Sequence, residues 1–329
     1  MSFFIGDTPI IKIFYKYKGE TKYLYSKLEF YNLTGSIKDR VALYMIKKAE
    51  ERGDLKPGMP IIEATSGNTG IALSALGNVF RHKVYIFMPD WVSRERVAIM
   101  KNFGAKIILV SKEYGGFKRC LEEAKKLSEA IGGYWTNQFS NKDNYLAHYE
   151  MTGREIVEEV HENIGGFVSG VGTGGTIMGI GDRIKEKYPE AKICAIEPEN
   201  MPIISQGKIL SQHKIEGIGD EFVPELLDKS KIDEIFLIND DDAINMSKKL
   251  SEGLGLGVGI SSGANLLGSV LLGQSISEPV TTVFPDDNKK YLSTDLANFD
   301  DSKITDKFVS KNIELLKYEV LYKENRYIN

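Results

Sequence analysis

The sequence predicts an α/β fold built from two doubly wound sheets, with a ligand cleft between them. Three observations carry this. Strand-like runs alternate with helical runs over residues 61–131, the alternation restarts over 167–284, and neither internal repeats nor a low-complexity linker interrupts the chain. Such alternation implies parallel strands joined by right-handed crossovers, and ligands of these sheets sit beyond the carboxyl ends of the strands. The expected organisation is a smaller mobile domain at 36–145, a larger domain formed by 1–35 and 146–299, and a helical extension at 300–329.

At 329 residues the chain is long enough for two domains, and 42% hydrophobic with 27% charged residues is ordinary globular composition. A net charge of −4 without a long basic run gives nucleic-acid binding no electrostatic support. No apolar run approaches a membrane span, and the first residues lack a basic start followed by an apolar run and cleavage site, so a cytoplasmic protein is expected. Two distant cysteines, Cys120 and Cys194, suggest buried thiols in a reducing compartment, and with four scattered histidines no metal site is expected.

Taken in order, IIKIFY and KYLYSKLEF flank Lys18-Gly19-Glu20 and read as a hairpin. Ser36 followed by Asp39 then looks like a capping box, with Val41, Tyr44, Met45 and Ala49 at helical spacing, so a helix starts here and ends near Gly53. Lys38 falls in the first turn, where the helix dipole disfavours its charged form. An amine near neutrality attacks an aldehyde to form a Schiff base, which is how lysine holds pyridoxal phosphate. A solvated lysine is the plain alternative.

Three glycine-rich turns follow, each between a strand and a helix. Thr65-Ser66-Gly67-Asn68-Thr69-Gly70 offers hydroxyls and N–H groups to an anion such as a carboxylate, and Asn68 adds an amide suited to a ring hydroxyl. Gly172-Thr173-Gly174-Gly175-Thr176 offers phosphate chemistry at a helix start. No lysine follows in Walker fashion, and the dinucleotide fingerprint is poor, with Glu197 the sole acidic residue at the end of the next strand. In Gly259-Ile260-Ser261-Ser262-Gly263 a serine suits a pyridine nitrogen, whereas capping accounts for Ser262. Each turn alone also reads as a plain strand-to-helix connection.

Together, in this order, NLTGSIKDR, TSGNTG, MPDWVSRERVAIMKNFGA, TNQFSNKDNYLAHYEMTGREI, GTGGT, EGIG, GISSGA and YLST resemble the cysteine synthase family of fold-type II pyridoxal phosphate enzymes, including cystathionine β-synthases. The resemblance spans nearly all of residues 5–295 and implies a tryptophan synthase β-like fold. It implies that Lys38 binds the cofactor and moves protons at the substrate α-carbon. Gly172, Thr173, Gly174, Gly175 and Thr176 would hold the phosphate, Asn68 the ring hydroxyl and Ser261 the ring nitrogen. Thr65, Ser66, Thr69 and Gln138 would bind the substrate carboxylate, with Gly217, Ile218 and Gly219 lining the opposite wall. The family's GIGAGF loop reads Gly217-Ile218-Gly219-Asp220-Glu221-Phe222 here, a departure that bears on the second substrate.

The expected activity is β-replacement on a β-substituted L-alanine. Asp220 favours a cysteine hydroxyl-lyase, which takes L-cysteine and water to L-serine and H2S with Asp220 as base. Cysteine synthesis from O-acetylserine and sulfide is the alternative; a catalytically silent family member acting as a binding partner, or a nicotinamide-dependent dehydrogenase using GTGGT, lies further off. A homodimer is expected, with an apolar stripe at Val309, Ile313, Leu316, Val320 and Leu321 on a terminal helix near its interface.

Overall fold

A computed structural model describes residues 4–321. The larger sheet has seven strands in the order β11-β1-β2-β10-β7-β8-β9. These are β1 (Ile10–Tyr17), β2 (Glu20–Leu28), β7 (Gly166–Gly170), β8 (Lys192–Pro198), β9 (Glu234–Ile238), β10 (Val280–Phe284) and β11 (Ile313–Leu321). The smaller sheet, ordered β5-β4-β3-β6, comprises β3 (Ile61–Ala64), β4 (Val84–Pro89), β5 (Lys106–Val110) and β6 (Tyr134–Trp135), all parallel. Between them run α1 (Lys38–Arg52), α2 (Asn68–Phe80), α3 (Arg94–Asn102), α4 (Gly116–Ile131), α5 (Lys142–Ala147), α6 (Arg154–Glu159), α7 (Gly175–Lys187), α8 (Ile203–Gln206), α9 (Asp240–Leu254) and α10 (Ile260–Leu272). A π-helical turn, His148–Gly153, joins α5 to α6.

The central strands of both sheets, β3 in the smaller and β7, β8 and β10 in the larger, are covered on both faces, as parallel strands require. One face of the large sheet packs Ile13, Ile196 and Phe284 against α9 and α10, while the other packs Phe167, Ile193 and Val283 against α7. Ile61, Ile86 and Met88 of the small sheet meet α1, α2 and α3, and Ile62 and Phe87 meet α4. The β1–β2 hairpin turns at Lys18 and Gly19, both with positive φ, the backbone whose twist matches paired strands. Among the described residues no helix is long and apolar enough to cross a membrane.

The C-terminal extension differs from expectation. In place of a helix, Ile313–Leu321 forms β11, antiparallel on β1. The unpaired groups along the edge of β1 are satisfied by a segment rich in strand formers, and the register sets Lys12 opposite Glu319 and Lys16 opposite Glu314. The apolar positions fit period two as well as a helical stripe, and the waiting edge decides between them. Ile313 reaches the core, whereas Leu316 and Val320 stay exposed. Residues 322–329 of the predicted extension lie outside the described residues.

Under α1 lies a buried charge cluster. The Arg40 guanidinium donates to Glu29 at 2.7 Å through Nε, and to Glu155 Oε2 at 2.8 Å and Thr8 Oγ1 at 3.1 Å through Nη2. Lys27 Nζ pairs with Glu155 at 2.8 Å. Burial alone would lower the Arg40 pKa, but Glu29 and Glu155 more than reverse this. Burial would likewise raise Glu155, yet Arg40 and Lys27 hold it well below the carboxylate range.

Candidate active site

Lys38 is the first residue of α1. Its turn is set by bonds that differ from a capping box. Ser36 Oγ accepts from the Lys38 N–H at 3.3 Å, but Asp39 turns back to accept from Thr34 N–H at 2.7 Å and Thr34 Oγ1 at 2.6 Å. The Ile37 N–H donates to Pro285 O at 2.8 Å and Lys290 Nζ to Gly35 O at 2.7 Å, so the end of β10 fixes the lysine's position. Gly35 has φ +78°, and a Cβ there would meet an Asp287 carboxylate oxygen at 2.7 Å. The side chain is half-buried. Burial lowers its pKa to about 8, partly offset by Asp220.

Asp220 is the reciprocal partner. Burial raises its pKa from an ordinary 3.8 to about 6, against the attraction of Lys38 and with the repulsion of Glu221. The wall that carries it rests on the phosphate-type turn: Gly219 N–H donates to Val171 O at 2.9 Å, and His213 Nε2 meets Gly219 O at 2.8 Å. Because a carbonyl only accepts, that histidine nitrogen carries the proton.

The GTGGT turn opens α7. Gly174 has φ +85°, a Cβ on Gly172 would lie 2.5 Å from Gly217 O, and one on Gly175 would collide with Asn144 Oδ1. Asn144 Nδ2 donates to Thr173 Oγ1 and to Gln138 O, each at 2.8 Å. His148 Nε2 lies 3.2 Å from Thr176 Oγ1, and burial together with the Lys38 and Arg40 cations keeps that imidazole neutral. Asn144 and His148, on α5 and the π turn, thus hold the two threonines from behind.

The TSGNTG turn opens α2. Thr65 Oγ1 accepts from Gly67 N–H at 3.1 Å, and Thr69 Oγ1 donates to Gln138 Oε1 at 2.6 Å. Asn68 Nδ2 donates to Asp286 at 2.8 Å, and the same carboxylate oxygen accepts from Tyr291 OH at 2.8 Å. Glu63, buried within β3, accepts from Thr136 Oγ1 at 2.6 Å and Gln138 N–H at 3.0 Å. It thereby pins Asn137, whose φ of +46° is unusual outside glycine. Ser66 and Gly217 are exposed, whereas Thr65, Thr69, Gln138, Thr173, Gly174, Gly175 and Ser261 are buried. Ser262 caps nothing, since Gly259 is the residue ahead of α10, and its Oγ is buried without a partner.

These residues are linked into one cleft between the sheets, and they fit pyridoxal phosphate. The group needs an anion cradle that side chains do not fill, an amine uncommitted to a carboxylate, and spare polar atoms for its ring. Glycines at 172, 174 and 175 put bare backbone at the start of α7, where Gly217 and Asn144 leave no room for a Cβ at 172 and 175, burial favours the amine form of Lys38, and Asn68 Oδ1 and Ser262 Oγ are buried without partners. Glu197, by contrast, accepts from Ile204 N–H at 2.7 Å and Ser205 N–H at 3.0 Å, so the acidic residue a dinucleotide would need is spent on the start of α8.

Residues 1–286 match the family described as pyridoxal-phosphate dependent enzymes. The chain belongs to that family. A cysteine synthase of Staphylococcus aureus (strain N315) is 38% identical over 300 residues, covering 90% of this chain and 96% of its own. A hydrogen sulfide-producing enzyme from Fusobacterium nucleatum is 50% identical with a TM-score of 0.94, covering 97% of each chain. A cysteine synthase from Entamoeba histolytica is 38% identical with a TM-score of 0.84, covering 94% of this chain and 93% of its own. The protein is therefore a pyridoxal phosphate-dependent enzyme of the cysteine synthase type, and its chemistry is replacement at the β-carbon of a small amino acid.

Proposed function

We propose that this enzyme is a cysteine hydroxyl-lyase, converting L-cysteine and water to L-serine and hydrogen sulfide. The observation that carries the reading is the carboxylate of Asp220 in the cleft, close enough to Lys38 for each to shift the other. Bound pyridoxal phosphate supplies the electron sink for charge developing at the substrate α-carbon. The turn Gly172–Thr176 would hold its phosphate, Asn68 its ring hydroxyl and Ser261 its ring nitrogen. Thr65, Ser66, Thr69 and Gln138 bind the substrate carboxylate, and Gly217 and Gly219 give the side chain room.

Lys38 Nζ takes the proton from the α-carbon and later returns it. Asp220 gives a proton to the departing sulfur, then takes one from the water that attacks the β-carbon, so protons balance over the cycle. General-base help of this kind is worth roughly 10²- to 10⁴-fold. The Fusobacterium relative, described as hydrogen sulfide-producing, supports this direction.

The likeness to cysteine synthases supports a second reading, synthesis from O-acetylserine and sulfide. Incubating the holoenzyme with L-cysteine alone decides between them: equal amounts of serine and sulfide are expected. Turnover of O-acetylserine with sulfide and none of cysteine with water overturns the proposal. A homodimer in the cytoplasm is part of it, testable by solution mass and by cell fractionation.

A further inference from the structure

Asp286 lies just beyond β10, and the segments carrying three ring-facing residues, Lys38, Asn68 and Ser261, converge on it. It is 1% exposed. Its Oδ2 accepts from Asn68 Nδ2 and from Tyr291 OH, each at 2.8 Å, so one side chain ties the end of the large sheet to the first turn of α2. Its backbone is bridged to Ser36, two residues before Lys38, and its carbonyl accepts from Gly259 N–H at 3.0 Å, two residues before Ser261. A Cβ on Gly259 would collide with Asp286 Oδ1, so bare backbone lets the carboxyl lie against the start of α10.

As a staple for the fold this carboxyl is poorly built. Lys290 pairs with Asp287 at 3.5 Å and Arg96 with Glu216, while Asp286 Oδ1 is buried without a partner. Burial raises its pKa, opposed by the more distant pull of Lys290 and Arg96 and by the bonds from Asn68 and Tyr291. A buried acid met in this way costs stability, in contrast to the Arg40 cluster, where carboxylates bond the cation directly. What the carboxyl does fix is an amide. The two ends of an asparagine amide have nearly the same shape, and an acceptor on one side decides which end turns toward it. Asp286 draws Nδ2, which leaves Asn68 Oδ1, buried without a partner, on the edge that remains free.

We propose that Asp286 is a positioning residue for the cofactor ring, holding the Asn68 amide in one of its two orientations so that the ring hydroxyl always meets the edge that carries Oδ1. The inference rests on Asn68 meeting the ring hydroxyl, but not on which nucleophile adds at the β-carbon.

The test uses holoenzyme variants and two readouts. Equilibrium dialysis against pyridoxal phosphate gives the cofactor affinity, and visible circular dichroism per bound cofactor reports how firmly the ring is held in its asymmetric site. Asp286→Ala is expected to weaken affinity by about 10- to 100-fold, the usual contribution of a hydrogen bond to a charged group, and to reduce the dichroism. Asp286→Asn keeps an oxygen that accepts from Asn68 and Tyr291, so it must match the parent in both readouts, and this arm stands even if the alanine variant unfolds. In an Asn68→Ala background Asp286→Ala should change neither readout further, because its effect passes through that amide. A lower melting point alone would follow from a purely structural role, which leaves the dichroism per bound cofactor unmoved. Parent affinity and dichroism in Asp286→Ala, failure of Asp286→Asn to match the parent, or an added loss in the double variant overturns the inference. If Asn68→Ala by itself changes neither readout, the assignment of Asn68 to the ring hydroxyl falls, and the inference falls with it.

Discussion

Lys38 and Arg40 are two residues apart in one helical turn, both withdrawn from water, and their surroundings make opposite use of them. Arg40 is met by Glu29 and Glu155, so its charge is locked in and its role is to hold α1 against the turn that follows β2 and against α6. Lys38 has no bonded carboxylate, only the more distant pull of Asp220, and its pKa falls to about 8. A buried cation with fixed partners is structure, and one without them is a poised base. The same burial that costs stability at Lys38 is what makes its amine available for chemistry.

Replacing each residue separates the two roles. Lys38→Ala is expected to abolish turnover, a loss of at least the roughly 10⁴-fold that proton transfer can supply, and to erase the visible absorbance of the bound cofactor. Because the folded state lowers this lysine's pKa, its charge opposes folding below about pH 8, so cofactor-free Lys38→Ala should melt no lower than the parent at pH 7. A much lower melting point would mean that Lys38 is structural like its neighbour. Arg40→Met should do the reverse, stranding Glu29 and Glu155 at a cost of about 3–5 kcal/mol, a large share of a typical 5–15 kcal/mol. Urea denaturation of the cofactor-free protein measures this, and a loss below about 1 kcal/mol would dissolve the contrast.

The third substitution concerns the partner of Lys38. Asp220→Asn should slow serine formation from cysteine by roughly 10²- to 10⁴-fold and remove the limb that its titration near pH 6 gives the pH–rate profile. The sign for stability is separate. A carboxyl whose pKa is raised on folding stabilises the fold fully below its ordinary 3.8 and loses that contribution as pH rises through about 6. Asp220→Asn should therefore gain on the parent in thermal stability as pH rises from about 4 to about 6; a variant that keeps both the limb and the rate would leave Asp220 a bystander.

How much of this was legible depends on how far the deciding contacts reach along the chain. The strands at 192–198, 234–238 and 280–284 follow from local pattern, and the glycine turns are local too, because an open backbone at a helix start is a property of consecutive residues. Asp286 escaped because its bond to Asn68 spans 218 positions, and Asn144 and His148 because they reach Thr173 and Thr176 from another helix. Some signals were present: Glu63 is a lone carboxylate in the apolar run IIEA, and Asp286 follows the carboxyl end of a parallel strand, where ligands gather. The terminal helix was misread for a related reason, since the free edge of β1 lies some three hundred residues away from the strand that covers it.

That edge carries a consequence for how the protein is made. β1 and β2 emerge first, yet their neighbours in the sheet are β10 and β11, near the other end of the chain. The small sheet, contained within residues 61–135, can close while the ribosome is still at work, whereas the large sheet waits for nearly the whole message to be read. Nascent chains arrested before residue 280 should therefore resist protease over 61–135 and be cut readily within 10–28, and protection of both would mean that the hairpin finds another partner while it waits.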